Sequence, residues 1–159
     1  MKGKKNSKVF ILVFLGMLTA FGPFVTDMYL STLPAMSDYF HTTSSMVQLG
    51  LTASMIGLAA GQLLFGPLSD KYGRRLPLII SMALFAVATI GCIYSHTIMQ
   101  FVGWRLVQGI AGAGGIVISR SVAADKYAGR ELAKMLALIG AINGVAPVAA
   151  PMGGGFLAG

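Results

Sequence analysis

Two ionisable side chains, Asp27 and Arg105, stand inside long apolar runs of this 159-residue chain. A carboxylate in such surroundings can bind a proton or a cation, and a guanidinium nearby can tune it. A charge at the middle of a bilayer costs about 3 kcal/mol or more unless it is paired or hydrated. Asp27 follows Pro23 by four residues; the proline frees the Thr19 carbonyl and can bend a helix, and a bent helix carrying an acid suits an ion or substrate. Arg105 is followed at helical spacing by Gln108, Gly109 and Gly112, a polar, small-residue face fit for a cavity or a close helix contact. The bland alternative, that each side chain snorkels to the nearer interface, suits Asp27 better than Arg105.

A second constellation lies between two apolar runs, at Gly66-Pro67-Leu68-Ser69-Asp70-Lys71-Tyr72-Gly73-Arg74-Arg75. It is the densest charge cluster past the N-terminal tail and reads as a tight, basic, glycine-bearing turn between two spans. Small residues also recur every four positions. Ala53, Gly57 and Gly61 mark one face of the second span. Gly140 and Gly144 begin a similar face that runs into Pro147, Pro151, Gly153, Gly154 and Gly155. The first stripe suits generic helix packing. The second should kink near its end, because two prolines and three glycines cannot make a regular helix.

The elements that position these residues follow from composition. The chain is 55% hydrophobic and 11% charged, with a mean hydropathy of +0.76. Soluble domains carry about 25% charged residues, so this is an all-α integral membrane protein. Spans are expected at about residues 9–33, 46–68, 77–95, 98–119 and 135–158, each near the roughly 20 residues that cross the hydrocarbon. Residues 1–8 form a basic tail. Lys2, Lys4, Lys5 and Lys8 before an apolar run resemble a signal peptide, but the run continues to Leu33 and four more spans follow, so cleavage is not expected.

The net charge of +7 is a matter of topology rather than of nucleic-acid binding. The tail, the segment with Lys71, Arg74 and Arg75, and the segment with Arg120, Lys126, Arg130 and Lys134 all fall on one side. The connectors 34–45 and 95–97 hold no Lys or Arg. The basic side should face the cytoplasm, giving a multi-pass protein of the cytoplasmic (inner) membrane with a cytoplasmic N-terminus. Both Asp27 and Arg105 then fall in the outer half of the membrane, where they can meet. Cys92 is a lone thiol in an apolar run and has no ligand-spaced companion. His41 and His96 are isolated on connectors, and no nucleophile, metal cluster or phosphate-binding loop is evident, so neither an enzyme nor a cofactor is expected.

Four segments in order carry a resemblance: Thr26-Asp27-Met28-Tyr29-Leu30, Gly66 to Arg75, Trp104-Arg105-Leu106-Val107-Gln108-Gly109, and Ala146-Pro147-Val148-Ala149-Ala150-Pro151-Met152-Gly153-Gly154. The chain resembles the N-terminal part of a major facilitator drug:proton antiporter of the bicyclomycin and chloramphenicol resistance branch. The resemblance covers nearly the whole chain. Lys71 stands where that family usually has Arg, and Ser31 replaces the proline commonly found after the first-helix signature. The family has twelve helices in two six-helix halves; these five would form most of the first half, and the second half would be missing.

The resemblance implies a rocker-switch exporter of drug-like molecules driven by protons, in a lipid bilayer. Asp27 would be the proton and cation site, and Arg105 would tune it, a nearby positive charge lowering an acid's pKa and burial raising it. Tyr29, Gln108 and Asn143 would line the cavity. Gly66, Asp70, Gly73, Arg74 and Arg75 would form a cytoplasmic gate, Asp70 and Arg74 pairing with charges or helix ends of the other half. Gly144, Pro147, Pro151, Gly153 and Gly154 would form the antiporter helix. The segment Asp125–Arg130 echoes the gate motif faintly, and we read the echo as coincidence or shared loop chemistry, since inverted repeats would not align the two. Two alternatives stay open: an exporter of a metabolite, and a truncated polypeptide without transport of its own.

Overall fold

Five helices follow one another with short connectors: α1 (Lys2–Tyr39), α2 (Ser44–Tyr72), α3 (Arg75–Ile93), α4 (Ile98–Lys126) and α5 (Gly129–Leu157). The computed structural model describes the backbone of residues 2–157 and the side chains of residues 9–20, 25–26, 29–30 and 32–144. The side chains of Asp27, Pro147 and Pro151, and the surroundings of Gly153 and Gly154, lie outside the described residues. The backbone of α5 continues as one helical element through both prolines to Leu157.

Caps mark the helix starts on one side of the bundle. The Thr43 side chain accepts from the Met46 N–H, and the Thr97 side chain from the Gln100 N–H, each satisfying a donor that the first helical turn leaves free. On the basic side, Gly73 ends α2 at φ 79°, ψ 172°, a backbone state open in practice only to glycine. Gly129 opens α5 at φ 54°.

The helices outrun the apolar runs that announce them. α2 continues past Leu68 to Tyr72, and α4 continues past Ser119 to Lys126. The segment from Gly66 to Tyr72 is therefore helical, and the expected ten-residue turn shrinks to Gly73 and Arg74. The cause is that hydrophobicity measures the membrane, not the helix. A helix satisfies its own backbone hydrogen bonds whatever its side chains, so it stops only where a backbone state such as that of Gly73 stops it.

α4 is the hub, packing against α2 and α3, while α1 lies against α5 and α4. Glycines bring α2 and α4 into backbone contact. A Cβ on Gly57 would lie 2.2 Å from the Leu106 carbonyl oxygen, one on Gly61 2.4 Å from that of Ile110, and one on Gly109 2.1 Å from that of Ser54. The α1–α5 seam is built from side chains instead. Gly16 accommodates Ile142, and the Thr19 hydroxyl lies 3.0 Å from Asn143 Oδ1. Beyond Gly140 and Gly144 there is open space, so that stripe packs on nothing described.

Two apolar clusters occupy opposite ends of the bundle. Leu15, Leu18, Ala123 and Ile139 gather toward the basic end, and Tyr29, Val47 and Phe101 toward the other. Leu63, Ile79, Ile80, Ile90 and Ile93 are exposed, an outward apolar surface suited to lipid. Among the described residues, α2, α3 and α4 are long and apolar enough to cross a membrane, and Val9–Ala20 adds a shorter apolar stretch.

Candidate functional site

Arg105 sits seven residues into α4, about 10 Å along its axis at 1.5 Å per residue. It is only 4% exposed. Three helices supply its surroundings. From α1, the Tyr29 ring faces the cation, 4.6 Å from guanidinium carbon to ring centroid, within cation–π range. From α4 itself, Gln108 Oε1 accepts from Nη1 at 2.6 Å. From α2, Ser54 Oγ accepts from Nη2 at 3.4 Å. The buried Nε has no hydrogen-bond partner among the described residues.

Every partner of Arg105 among the described residues is thus neutral. A buried cation with no counter-charge is costly, and dipoles and a π-face offset only part of that cost. Such a cation is available to an anionic or strongly accepting group. Asp27 lies two positions before Tyr29 on the same helix, and its side chain is outside the described residues.

Packing fixes Tyr29 firmly. It is 5% exposed, and its hydroxyl donates to the Val47 carbonyl on α2. Its ring stacks on Phe101 with centroids 5.8 Å apart, and Phe40 tilts onto Phe101 at 5.6 Å. This aromatic pile covers Arg105 on the side away from the basic end. Gly50 makes it possible, since a Cβ there would lie 2.9 Å from the Tyr29 hydroxyl oxygen.

A second arginine organises the basic end. Arg74 Nη1 donates to Asp70 Oδ1 and to Ser69 Oγ, both at 2.7 Å, and its Nε donates to Asp125 Oδ2 at 2.9 Å. Nη2 reaches Asp125 Oδ1 at 3.3 Å, which makes the Asp125 contact a two-pronged one. The hydrogen bonds it donates to Asp125 and then to Asp70 raise the Arg74 pKa above its ordinary value. The cluster ties the α2–α3 turn to the end of α4. Asp70 remains 70% exposed at its side chain, while Lys71 and Arg75 are exposed and lie outside these ion pairs.

The expected site residues therefore separate. Tyr29, Gln108 and Arg105 come together. Asn143 does not join them; it faces Thr19 across the α1–α5 seam. Gly66 is helical, with open space where a Cβ would stand. Arg74 is engaged within the chain rather than held free for another half.

Sequence reasoning missed Ser54, Thr89, Ser69 and Asp125. For Asp125 a signal was present. It is one of five acidic residues and heads the segment that echoes the Asp70 motif, and the geometry joins it to that motif directly. Ser54 precedes Gly57 by three and Gly61 by seven, so it shares their face more fully than Ala53 does. No spacing rule points to Thr89, which approaches from a different helix.

Comparison with known proteins gives one consistent answer. The profile of the Major Facilitator Superfamily matches residues 9–159. The chain is 45% identical over 141 residues to an uncharacterized MFS-type transporter, YdgK, of Bacillus subtilis, covering 89% of this chain and 35% of that protein. It is 31% identical to a bicyclomycin resistance protein homolog of Haemophilus influenzae, covering 99% and 39%. It is 35% identical to a chloramphenicol resistance protein of Pseudomonas aeruginosa, covering 79% and 30%. The chain spans about a third of the length of these curated relatives.

Proposed function

Because the chain belongs to the Major Facilitator Superfamily, a family of transporters rather than enzymes, we propose that it forms the N-terminal part of a proton-coupled exporter of drug-like molecules. It acts in the cytoplasmic membrane, with its basic end in the cytoplasm and a second half completing the central site. The observation that carries this reading is the buried Arg105, whose partners on α1, α2 and α4 among the described residues are all neutral.

In this reading Asp27 is the proton site, and Arg105 is the fixed cation against which its charge is balanced. Protonation of Asp27 and binding of a cationic or polar drug exclude each other, because both use the same negative charge. Tyr29 and Gln108 hold Arg105 in place. The exclusion gives antiport its simplest physical basis: a proton enters only when the drug has left. The resistance proteins among the relatives support a drug-like substrate over a metabolite.

At the basic end, Asp70, Arg74 and Asp125 brace the α2–α3 turn against α4, so that the three helices move together when the two halves rock. Exposed Asp70 is the group left to meet the other half.

The test is export of a cationic dye from vesicles under an imposed pH gradient, using the protein as its gene encodes it. Wild type should export and Asp27→Asn should not. Undiminished pH-driven export by Asp27→Asn would sink the assignment.

A further inference from the structure

Thr89, on α3, extends the polar contacts of Arg105 to a fourth helix. Its hydroxyl donates to the Phe85 carbonyl at 2.8 Å, and Gln108 Nε2 donates to it at 2.9 Å. A hydroxyl has one proton, and this one is committed to its own helix. Toward Gln108, Thr89 offers only lone pairs, so the atom of Gln108 that faces it must be the amide nitrogen. At the other end of the same amide, Arg105 has only donors, so the atom facing it must be the oxygen. The two neighbours independently demand the same orientation of a group whose two ends are nearly equal in shape.

Ser54 repeats this chemistry from α2. Its hydroxyl donates to the Leu51 carbonyl at 2.8 Å and turns its lone pairs to Arg105 Nη2. Both hydroxyls thus spend their proton on a carbonyl of their own helix and face the network as acceptors. Thr89 differs in acting at one remove.

We propose that Thr89 is a positioning residue for Arg105, acting through Gln108: by accepting from the amide nitrogen it keeps Gln108 Oε1 on the guanidinium. The proposal deepens the export reading and rests on it for the role of Arg105. A valine would match the shape of Thr89 but leave the Gln108 nitrogen without a partner. The amide then gains by turning or swinging away, and Arg105 loses its shortest hydrogen bond.

The test combines export with thermal unfolding of the purified protein in detergent, for Thr89→Val, Thr89→Ser, Gln108→Leu and the Thr89→Val/Gln108→Leu double variant. Thr89→Val should slow pH-driven export about tenfold, the scale of one hydrogen bond to a charged group, and Thr89→Ser should restore most of it. In the Gln108→Leu background, Thr89→Val should slow export no further and should lower the unfolding temperature less than it does alone. A role confined to packing of α3 would instead act equally in both backgrounds. Equal effects in both backgrounds, or no effect of Thr89→Val in either measurement, overturn the proposal. If wild type fails to export on a pH gradient while the unfolding temperatures remain non-additive, the positioning role stands and the export reading falls.

Discussion

The two arginines that organise this bundle are held in opposite ways. Arg74 lies at the surface between two carboxylates, Asp70 and Asp125. Arg105 is buried and has only a ring, an amide and a hydroxyl among the described side chains. Water could solvate Arg74 without help, so its ion pairs act as geometry: they fasten one turn to one helix end. Arg105 has little access to water, and its neutral partners fix its position without cancelling its charge. A cation paired within the bundle braces; one whose described partners are all neutral is left to act on something else. Partner chemistry, more than residue type, assigns the two roles.

The sharpest way to break the comparison is to remove each charge in turn. Arg105→Met should reduce pH-driven export about 100-fold or more, the scale seen when a preorganised electrostatic group is lost. Arg105→Lys should not rescue it, because an ammonium has neither a planar face for Tyr29 nor a fork for Gln108 and Ser54. Export assays on vesicles with matched protein levels would read both.

A smaller effect is expected from Gly109→Ala. Its new Cβ would press on the Ser54 carbonyl oxygen from 2.1 Å, and backbone cannot swing aside. The variant should lose about 2 kcal/mol of stability, as overpacked sites do, and should weaken export by moving Ser54 while leaving the Arg74 cluster intact. Thermal unfolding beside Gly140→Ala is the check, since no described atom lies within 4 Å of a Cβ at Gly140 and the added methyl should cost no stability there.

Smaller again, Arg74→Ala should slow export at most about fivefold, since exposed ion pairs are weak and screened. The difference from wild type should shrink as salt is raised. Lys71→Ala should leave export within error, as Lys71 is exposed and outside the cluster.

Much of the fold was legible because membrane spans announce themselves by length and apolarity. The helix ends were not, because Gly66–Tyr72 and Arg120–Lys126 are polar stretches that remain helical. Of the site, Tyr29, Gln108 and Arg105 were named from local motifs, and the structure joins them. Asn143 stands apart from them against Thr19, since a polar residue on a span can face a seam as well as a cavity. Ser54 and Thr89 were out of reach of local reading, and Asp125 showed only as an echo of the Asp70 motif, without its partner. Their importance lies in which helix packs beside which, and that is set by glycine contacts such as Gly57 on Leu106 and Gly109 on Ser54.

The central claim is that Arg105 couples protons to export whereas Arg74 only braces. Dye export from vesicles carrying Arg105→Met or Arg74→Ala, driven by an imposed pH gradient at fixed membrane potential, tests it most directly. The account predicts that Arg105→Met abolishes the pH-driven component and Arg74→Ala keeps most of it. Full pH-driven export by Arg105→Met, or its complete loss in Arg74→Ala with the protein folded and inserted, would contradict it.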